Sequence, residues 1–413
     1  MNPFELKARP METLFENWTQ LYPCSYNKKE VHPFTKMRII LMNGTEFEAV
    51  FFSHQFHRNC PNNDIRRTLA LSRRIEQQQQ KKISCLKPIS ESILEHTIGY
   101  EQLAVELTAI LAQTEPDPYV KAALDFALLE DFDHLYRYSN LMEEETGKKA
   151  ETLVGCYTEI MPGRPTIAHH RHPFDTVRRF TNFKQADPLT RLHVNIITAS
   201  EQQTMNYYMN AAPFYTSDLG RKLYQEIAQV EEQHVTHYGS LLDPKMTWLE
   251  NLLMHEYTEC YLYYSFCLDE QDPYVRSIWE QCFEQEVAHV QQAAALLEQY
   301  EGKHWSSVVP GEFPCLICMS GNADYVRQVL ANTVSFTANL EDYIPVCDLP
   351  PQNRFYTYQG IVNPSADMEP GHLTICREIA KCGRDYRREM APSPIPELNC
   401  RTCDNTDVGR FCR

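Results

Sequence analysis

The chain has 413 residues, of which 43% are hydrophobic, enough to bury a sizeable core in two or three domains. Its formal net charge of −16 argues against a nucleic-acid partner, because neutralising phosphates requires a basic surface. No apolar run approaches eighteen residues and no signal peptide opens the chain, so we expect a soluble, cytoplasmic protein without a membrane partner.

The N-terminal region is expected to combine a small β-hairpin with one helix. Residues 37–52 alternate around Asn43-Gly44, a pair typical of a type I′ turn. A helix is predicted from about Asn63 to Cys85, where apolar residues recur at helical spacing. The rest of the chain favours a mainly α fold, since only 14 glycines occur in the whole sequence.

Three stretches of the chain repeat one arrangement, in which a Glu is followed thirty residues later by a carboxylate and three residues after that by His. They are Glu101 with Asp131 and His134, Glu201 with Glu231 and His234, and Glu256 with Glu286 and His289. The carboxylate-x-x-His pair alone carries little information, since Glu301 and His304 also show it. The Glu at a fixed upstream offset is the informative part and indicates a structural repeat.

A spacing of thirty is that of a helical hairpin. From Glu101 the pattern is helical, it breaks near Pro118, and it resumes with apolar residues at helical intervals. The first helix runs for about twelve residues after Glu101, and the second returns for about thirteen before the carboxylate, each rising ~1.5 Å per residue. The two positions therefore lie at the same level along the axis of the hairpin. Glu101 should therefore face Asp131 and His134, which share a helix face because they are three residues apart. We predict three such hairpins within residues 90–302.

The C-terminal part differs in composition, because eight of the fifteen cysteines fall between Cys315 and Cys412. Two pairs with the spacing C-x-x-C could supply a tetrahedral thiolate set for zinc or iron. These are Cys315, Cys318, Cys400 and Cys403. Eighty-one residues separate the pairs, and reduced cysteines without a metal are the alternative.

Two hairpins together offer four carboxylates and two imidazoles, a ligand set that suits iron or manganese. On these residues the chain resembles the ferritin-like superfamily of di-iron and di-manganese carboxylate proteins, over roughly residues 90–302. The resemblance implies a ferritin-like helical bundle that binds two Fe or Mn ions. Asp131 stands where the family has Glu, which shortens that ligand by one methylene. The expected domains are residues 1–89, residues 90–302 with the bundle, and residues 303–413 as a C-terminal extension.

The sequence leaves open which two hairpins form the site. The segment of residues 147–189 is long enough to cross the length of a bundle, which favours pairing the first hairpin with the second or the third. Ligand identity favours the second and third hairpins, because both carry Glu rather than Asp. We prefer hairpins one and two and keep all nine residues as candidate ligands. Carboxylates and imidazoles on solvated helix faces are the competing interpretation.

The expected function is that of a non-haem dimetal oxidoreductase using oxygen or peroxide, with a substrate that the sequence does not specify. No catalytic acid or base outside the ligands can be named. Iron or manganese binding for storage, without turnover, is a second hypothesis, and a helical scaffold without metal is a third. A homo-oligomer is compatible with all three.

Overall fold

The computed structural model describes residues 1–389, and within them the chain is mainly helical, as the sequence predicts. The α-helices of this part, in chain order, are α1 Pro33–Asn59, α2 Asn63–Ser84, α3 Ile93–Thr114, α4 Pro118–Thr146, α5 Glu151–Val154, α6 Thr166–His169, α7 Pro188–Ala211, α8 Asp218–Gly239, α9 Trp248–Asp269, α10 Pro273–Glu301, α11 Ala323–Thr333, α12 Arg354–Val362 and α13 Pro370–Cys382. Strands β1 (Phe336–Asn339) and β2 (Asp342–Pro345) pair antiparallel. No described helix is both long and apolar enough to cross a membrane.

The predicted N-terminal β-hairpin is wrong, because residues 37–52 lie inside helix α1. Pro33 occupies the first turn of α1, and His32 caps it by accepting a hydrogen bond from the amide of Phe34. Gly44 does not form a turn. A Cβ at Gly44 would lie 2.9 Å from Cβ of Gln203, so the glycine permits close approach of helix α7 to α1.

The described chain clusters into two compact units, each built from several separate segments. The first unit contains Met1–Glu91, Phe180–Gln203 and Leu242–Met319; the second contains Ser92–Arg179, Thr204–Leu241 and the described residues from Ser320 onward. This grouping differs from the three consecutive domains expected above. Residues 1–91 share a unit with α9 and α10, and the C-terminal helices share one with α3 and α4.

In the first unit, α1 packs against α2 and α9 packs against α10, and contacts of α1 with α9 and of α2 with α10 join the two pairs. The sequence marks the helix ends clearly. Asn62 caps α2, and a capping box of Thr247 and Glu250 opens α9. Asp272 caps α10, which ends at Gly302 in the left-handed conformation.

In the second unit, α3 packs against α4, and α4 also contacts α8 and α13. Ser92 and Glu95 form a capping box at α3, Asp117 caps α4, and Gly147 ends α4 in the left-handed conformation. Helix α13 packs on both α4 and α8, so the C-terminal segment contributes to the core of this unit.

Candidate metal centre

The second unit brings together ligand candidates from the first and second predicted hairpins. Helices α3, α4 and α8 carry them, and each is at most 1% exposed. Nδ1 of His134 lies 2.9 Å from Oε1 of Glu231 and 4.0 Å from Oε2 of Glu101. Nδ1 of His234 lies 3.2 Å from Oδ1 of Asp131 and 3.2 Å from Oε2 of Glu231. Three carboxylates and two imidazoles therefore form one cluster, in which Glu231 contacts both imidazoles.

Further buried side chains hold these groups in place from outside. Nε2 of His234 lies 2.7 Å from Oε2 of Glu130, whose Oε1 accepts a hydrogen bond of 2.7 Å from Nη1 of Arg171. We assign a proton to Nε2 of His234, because Glu130 is the acceptor there, while Nδ1 faces the other carboxylates. The hydroxyl of Tyr208 donates to Oε1 of Glu101 at 2.5 Å. A carboxylate on the outer nitrogen of an imidazole is the usual support of a metal-binding histidine.

The electrostatics of this cluster follow from burial and close charges. Burial raises the pKa of Asp131. Burial alone would lower the pKa of His234, but the charges of Asp131 and Glu231 outweigh it and raise that pKa well above its ordinary value. Burial would also raise the pKa of Glu130, yet the charge of Arg171 and the contact with His234 lower it to about 2. Without a metal, positive charge at His234 thus balances the buried carboxylates.

Glu201, the remaining candidate of the second hairpin, is buried on α7. It belongs to the part of α7 that clusters with the first unit. Its role as a ligand stays a prediction.

The third predicted hairpin, α9 with α10, lies in the first unit and brings its own three candidates together. Nδ1 of His289 lies 3.0 Å from Oε1 of Glu286 and 3.7 Å from Oε2 of Glu256. Burial alone would lower the pKa of His289, but Glu286 and Glu256 outweigh it and raise the pKa to about 10.

Sequence reasoning missed four residues that share this buried region with the third hairpin. They are Glu46 on α1, Glu76 and Gln79 on α2, and Glu259 on α9. Ligand atoms of Glu76, Glu256 and His289 lie within 4.8 Å of one another, as do those of Glu256, Glu259 and Glu286. Nε2 of Gln79 donates to Oε1 of Glu286 at 2.7 Å, and the hydroxyl of Tyr263 donates to Glu46.

The missed residues carry a signal that the search for His could not detect. Glu76 follows Glu46 by thirty residues, and Gln79 follows Glu76 by three. The α1–α2 pair therefore repeats the spacing of the three predicted hairpins, with Gln in the position of His.

The predicted thiolate site is divided between described and undescribed parts of the chain. Cys315 and Cys318 are exposed. Cys400 and Cys403 lie outside the described residues. A metal at these cysteines stays a prediction.

Comparisons of this chain with protein-family models, with curated proteins and with solved structures found no match. The chemistry of the buried clusters is therefore the basis for interpreting function.

Proposed function

We propose that this protein is a ferritin-like, non-haem dimetal-carboxylate oxidoreductase that uses oxygen or peroxide, with its metal centre in the second unit. One observation carries the proposal: Glu101, Asp131 and His134 from the α3–α4 pair meet Glu231 and His234 from α8 in a buried cluster. Carboxylates and imidazoles from facing helices are the ligand set of dimetal carboxylate proteins.

The donor set agrees with iron or manganese. Apart from its contact with His234, Asp131 has no hydrogen-bond partner among the described residues, although it is fully buried. His234 supplies one positive charge to three buried carboxylates, so a bound cation would lower the cost of burying them. The imidazole nitrogens that face the carboxylates are both Nδ1, and hard oxygens with imidazole suit iron and manganese. When bound, two such ions supply the electrons for reducing oxygen or peroxide.

The protein contributes geometry and exclusion of water. Glu130 accepts a hydrogen bond from Nε2–H of His234. This contact fixes the ring so that Nδ1 faces Asp131 and Glu231. The Tyr208 hydroxyl orients the carboxylate of Glu101 and carries a proton at hydrogen-bond distance from it. Tyr138 and Tyr224, both fully buried, pack against Tyr208 and keep that side of the cluster dry.

A pocket in the second unit is where we place the substrate. Its volume is about 590 Å³, and its lining includes Arg171 and Gln233, the residue next to His234. The Arg171 guanidinium donates to Glu130, which in turn contacts His234. The pocket is therefore two hydrogen bonds from a ligand imidazole.

Metal analysis with matched variants tests the proposal. The double variant His134→Ala/His234→Ala is expected to lose about two metal ions per chain relative to the parent after anaerobic loading with Fe²⁺. His304→Ala is the matched control, because Glu301-x-x-His304 has the same spacing but His304 is exposed. Loading of the double variant equal to that of the parent would refute the assignment.

Turnover is tested separately from binding. Oxygen added to the Fe²⁺-loaded parent should be consumed and should change the absorption spectrum, and the double variant should show neither effect. A storage protein would instead accumulate many more irons per chain than the ligand sets can hold.

A further inference from the structure

The first unit contains a second buried cluster, which the proposed function does not use. It consists of five carboxylates and one imidazole, drawn from four different helices and at most 2% exposed. The members are Glu46 (α1), Glu76 (α2), Glu256 and Glu259 (α9), and Glu286 and His289 (α10).

The cluster has far more acidic than basic groups. None of its carboxylates forms an ion pair with a lysine or arginine within residues 1–389; His289 lies in direct contact, and the charge of Arg73 acts on Glu76 from a longer distance. Gln79 and Tyr263 donate one hydrogen bond each, to Glu286 and Glu46. Buried carboxylates in such excess are stable only when protonated or when bound to cations.

Glu259 is the member of the cluster that indicates a ligand-binding site most directly. It is fully buried, and neither of its carboxylate oxygens has a hydrogen-bond partner in the described part of the chain. One of these oxygens lies within 4.8 Å of ligand atoms of Glu256 and Glu286. A side chain that only filled space at this position would be apolar, because an unsatisfied buried carboxylate costs several kcal/mol.

We propose that the first unit holds a metal centre of its own and that this centre binds Mn²⁺ in a higher proportion to Fe²⁺ than the centre proposed for the second unit does. The preference follows from the donor atoms. The second unit offers two imidazoles, whereas the first offers one, because Gln79 occupies the position where the other helical pairs have His. A given donor set generally binds Fe²⁺ more tightly than Mn²⁺, but carboxylate oxygens suit Mn²⁺ and added imidazole suits iron and later metals, so the advantage of Fe²⁺ should be smaller in the first unit.

A competition experiment on the full chain separates the two centres. The metal-free protein is equilibrated anaerobically with equal concentrations of Mn²⁺ and Fe²⁺, and bound metals are counted. We expect both Glu256→Gln/Glu259→Gln and His134→Ala/His234→Ala to lose bound metal, and the metal lost by the first variant to have the higher manganese-to-iron ratio. The matched control is Glu280→Gln/Glu284→Gln, which removes two exposed carboxylates from α10 and should change neither metal.

The outcomes distinguish this inference from the proposed function. If Glu256→Gln/Glu259→Gln keeps the manganese of the parent, the first unit is not a metal centre, whatever the histidine variants do. If that variant loses iron and manganese in the parent's ratio, the centre exists but the preference is wrong. Loss of bound iron from His134→Ala/His234→Ala supports the proposed function, whatever the result for Glu256→Gln/Glu259→Gln.

Two further measurements guard against misfolding and test the role of Gln79. Saturating Mn²⁺ should raise the melting temperature of the parent and of the exposed control by at least about 5 °C, and should raise that of Glu256→Gln/Glu259→Gln clearly less, because only the second unit can then bind the ion. Gln79→His adds a second imidazole and should increase the iron-to-manganese ratio of the first unit about tenfold. An unchanged ratio in Gln79→His would overturn the explanation of the preference.

Discussion

Replacing Glu130 by Gln is the sharpest single test of how the second unit supports its proposed metal ligands. The change keeps the size of the side chain and removes one negative charge. In the parent, Glu130 is fully buried and contacts two partners at 2.7 Å, Nε2 of His234 and Nη1 of Arg171. The variant therefore weakens the support of the His234 ring and leaves Arg171 without its anionic partner.

The two consequences differ in size. A hydrogen bond to a charged group contributes roughly 1.5–3 kcal/mol and a neutral one roughly 0.5–1.5, so the bond to His234 should weaken by about 1–1.5 kcal/mol. Metal affinity should then fall about tenfold. Leaving a buried Arg171 unpaired should lower the free energy of unfolding by roughly 3–5 kcal/mol. The loss of stability should be partly restored in Glu130→Gln/Arg171→Met, where only buried Arg164, 3.9 Å from Glu130, still lacks that negative charge, whereas the loss of metal affinity should remain.

Two assays measure these quantities on the same proteins. Competition with a coloured chelator gives the metal affinity, and urea unfolding of the metal-free protein gives stability. Because the pKa of Glu130 is lowered to about 2, its stabilising charge is present above the unfolded pKa of ~4.3 and is lost as pH falls towards 2. This acid-dependent loss should be absent in Glu130→Gln. Metal affinity within twofold of the parent, or a double variant no more stable than the single one, would refute the reasoning.

Two other predictions concern a buried acid and a buried glycine. Burial raises the pKa of Glu106 to about 7 despite hydrogen bonds from Thr158 and Asn322, so the parent should lose up to about 3–4 kcal/mol of stability as pH rises from ~4.3 to 7. Glu106→Gln should abolish that slope in urea unfolding, and an equal slope in both proteins would contradict the prediction. Gly44→Ala should be less stable than Gly360→Ala by about 1–3 kcal/mol, because a Cβ meets Gln203 at position 44 and nothing within 4 Å at position 360. Equal melting temperatures of the two variants would show that α7 accommodates the added methyl group at position 44 without loss of stability.

Much of the helical organisation could be predicted from local signals. The spacing of thirty identified α3 with α4 and α9 with α10, because a hairpin with equal arms returns the chain to the same height. Asp117-Pro118 and Asp272-Pro273 mark the helix starts for a local reason: Asp accepts the first amide protons, and Pro needs no hydrogen bond there.

The errors came from effects that are not local. Asn43-Gly44 has the sequence of a turn, but Gly44 is small because another helix passes close to it. Glu46, Glu76 and Gln79 have the same spacing as the three predicted hairpins, but the pattern that was searched for required His at the last position, where this helical pair has Gln79. The pairing of helices within a unit depends on contacts between segments far apart in the chain, and no local pattern records them.

The discontinuous first unit also has a consequence during synthesis. After the ribosome has made α2, another 163 residues separate Ser84 from Trp248, where the partner helices begin. At ~5–20 residues per second, translation of this segment takes roughly 10–30 s. During that time the faces of α1 and α2 that will be buried are exposed to water. Carboxylates on those faces keep them soluble in the interval, and any ion that needs His289 can enter only after translation has passed that codon.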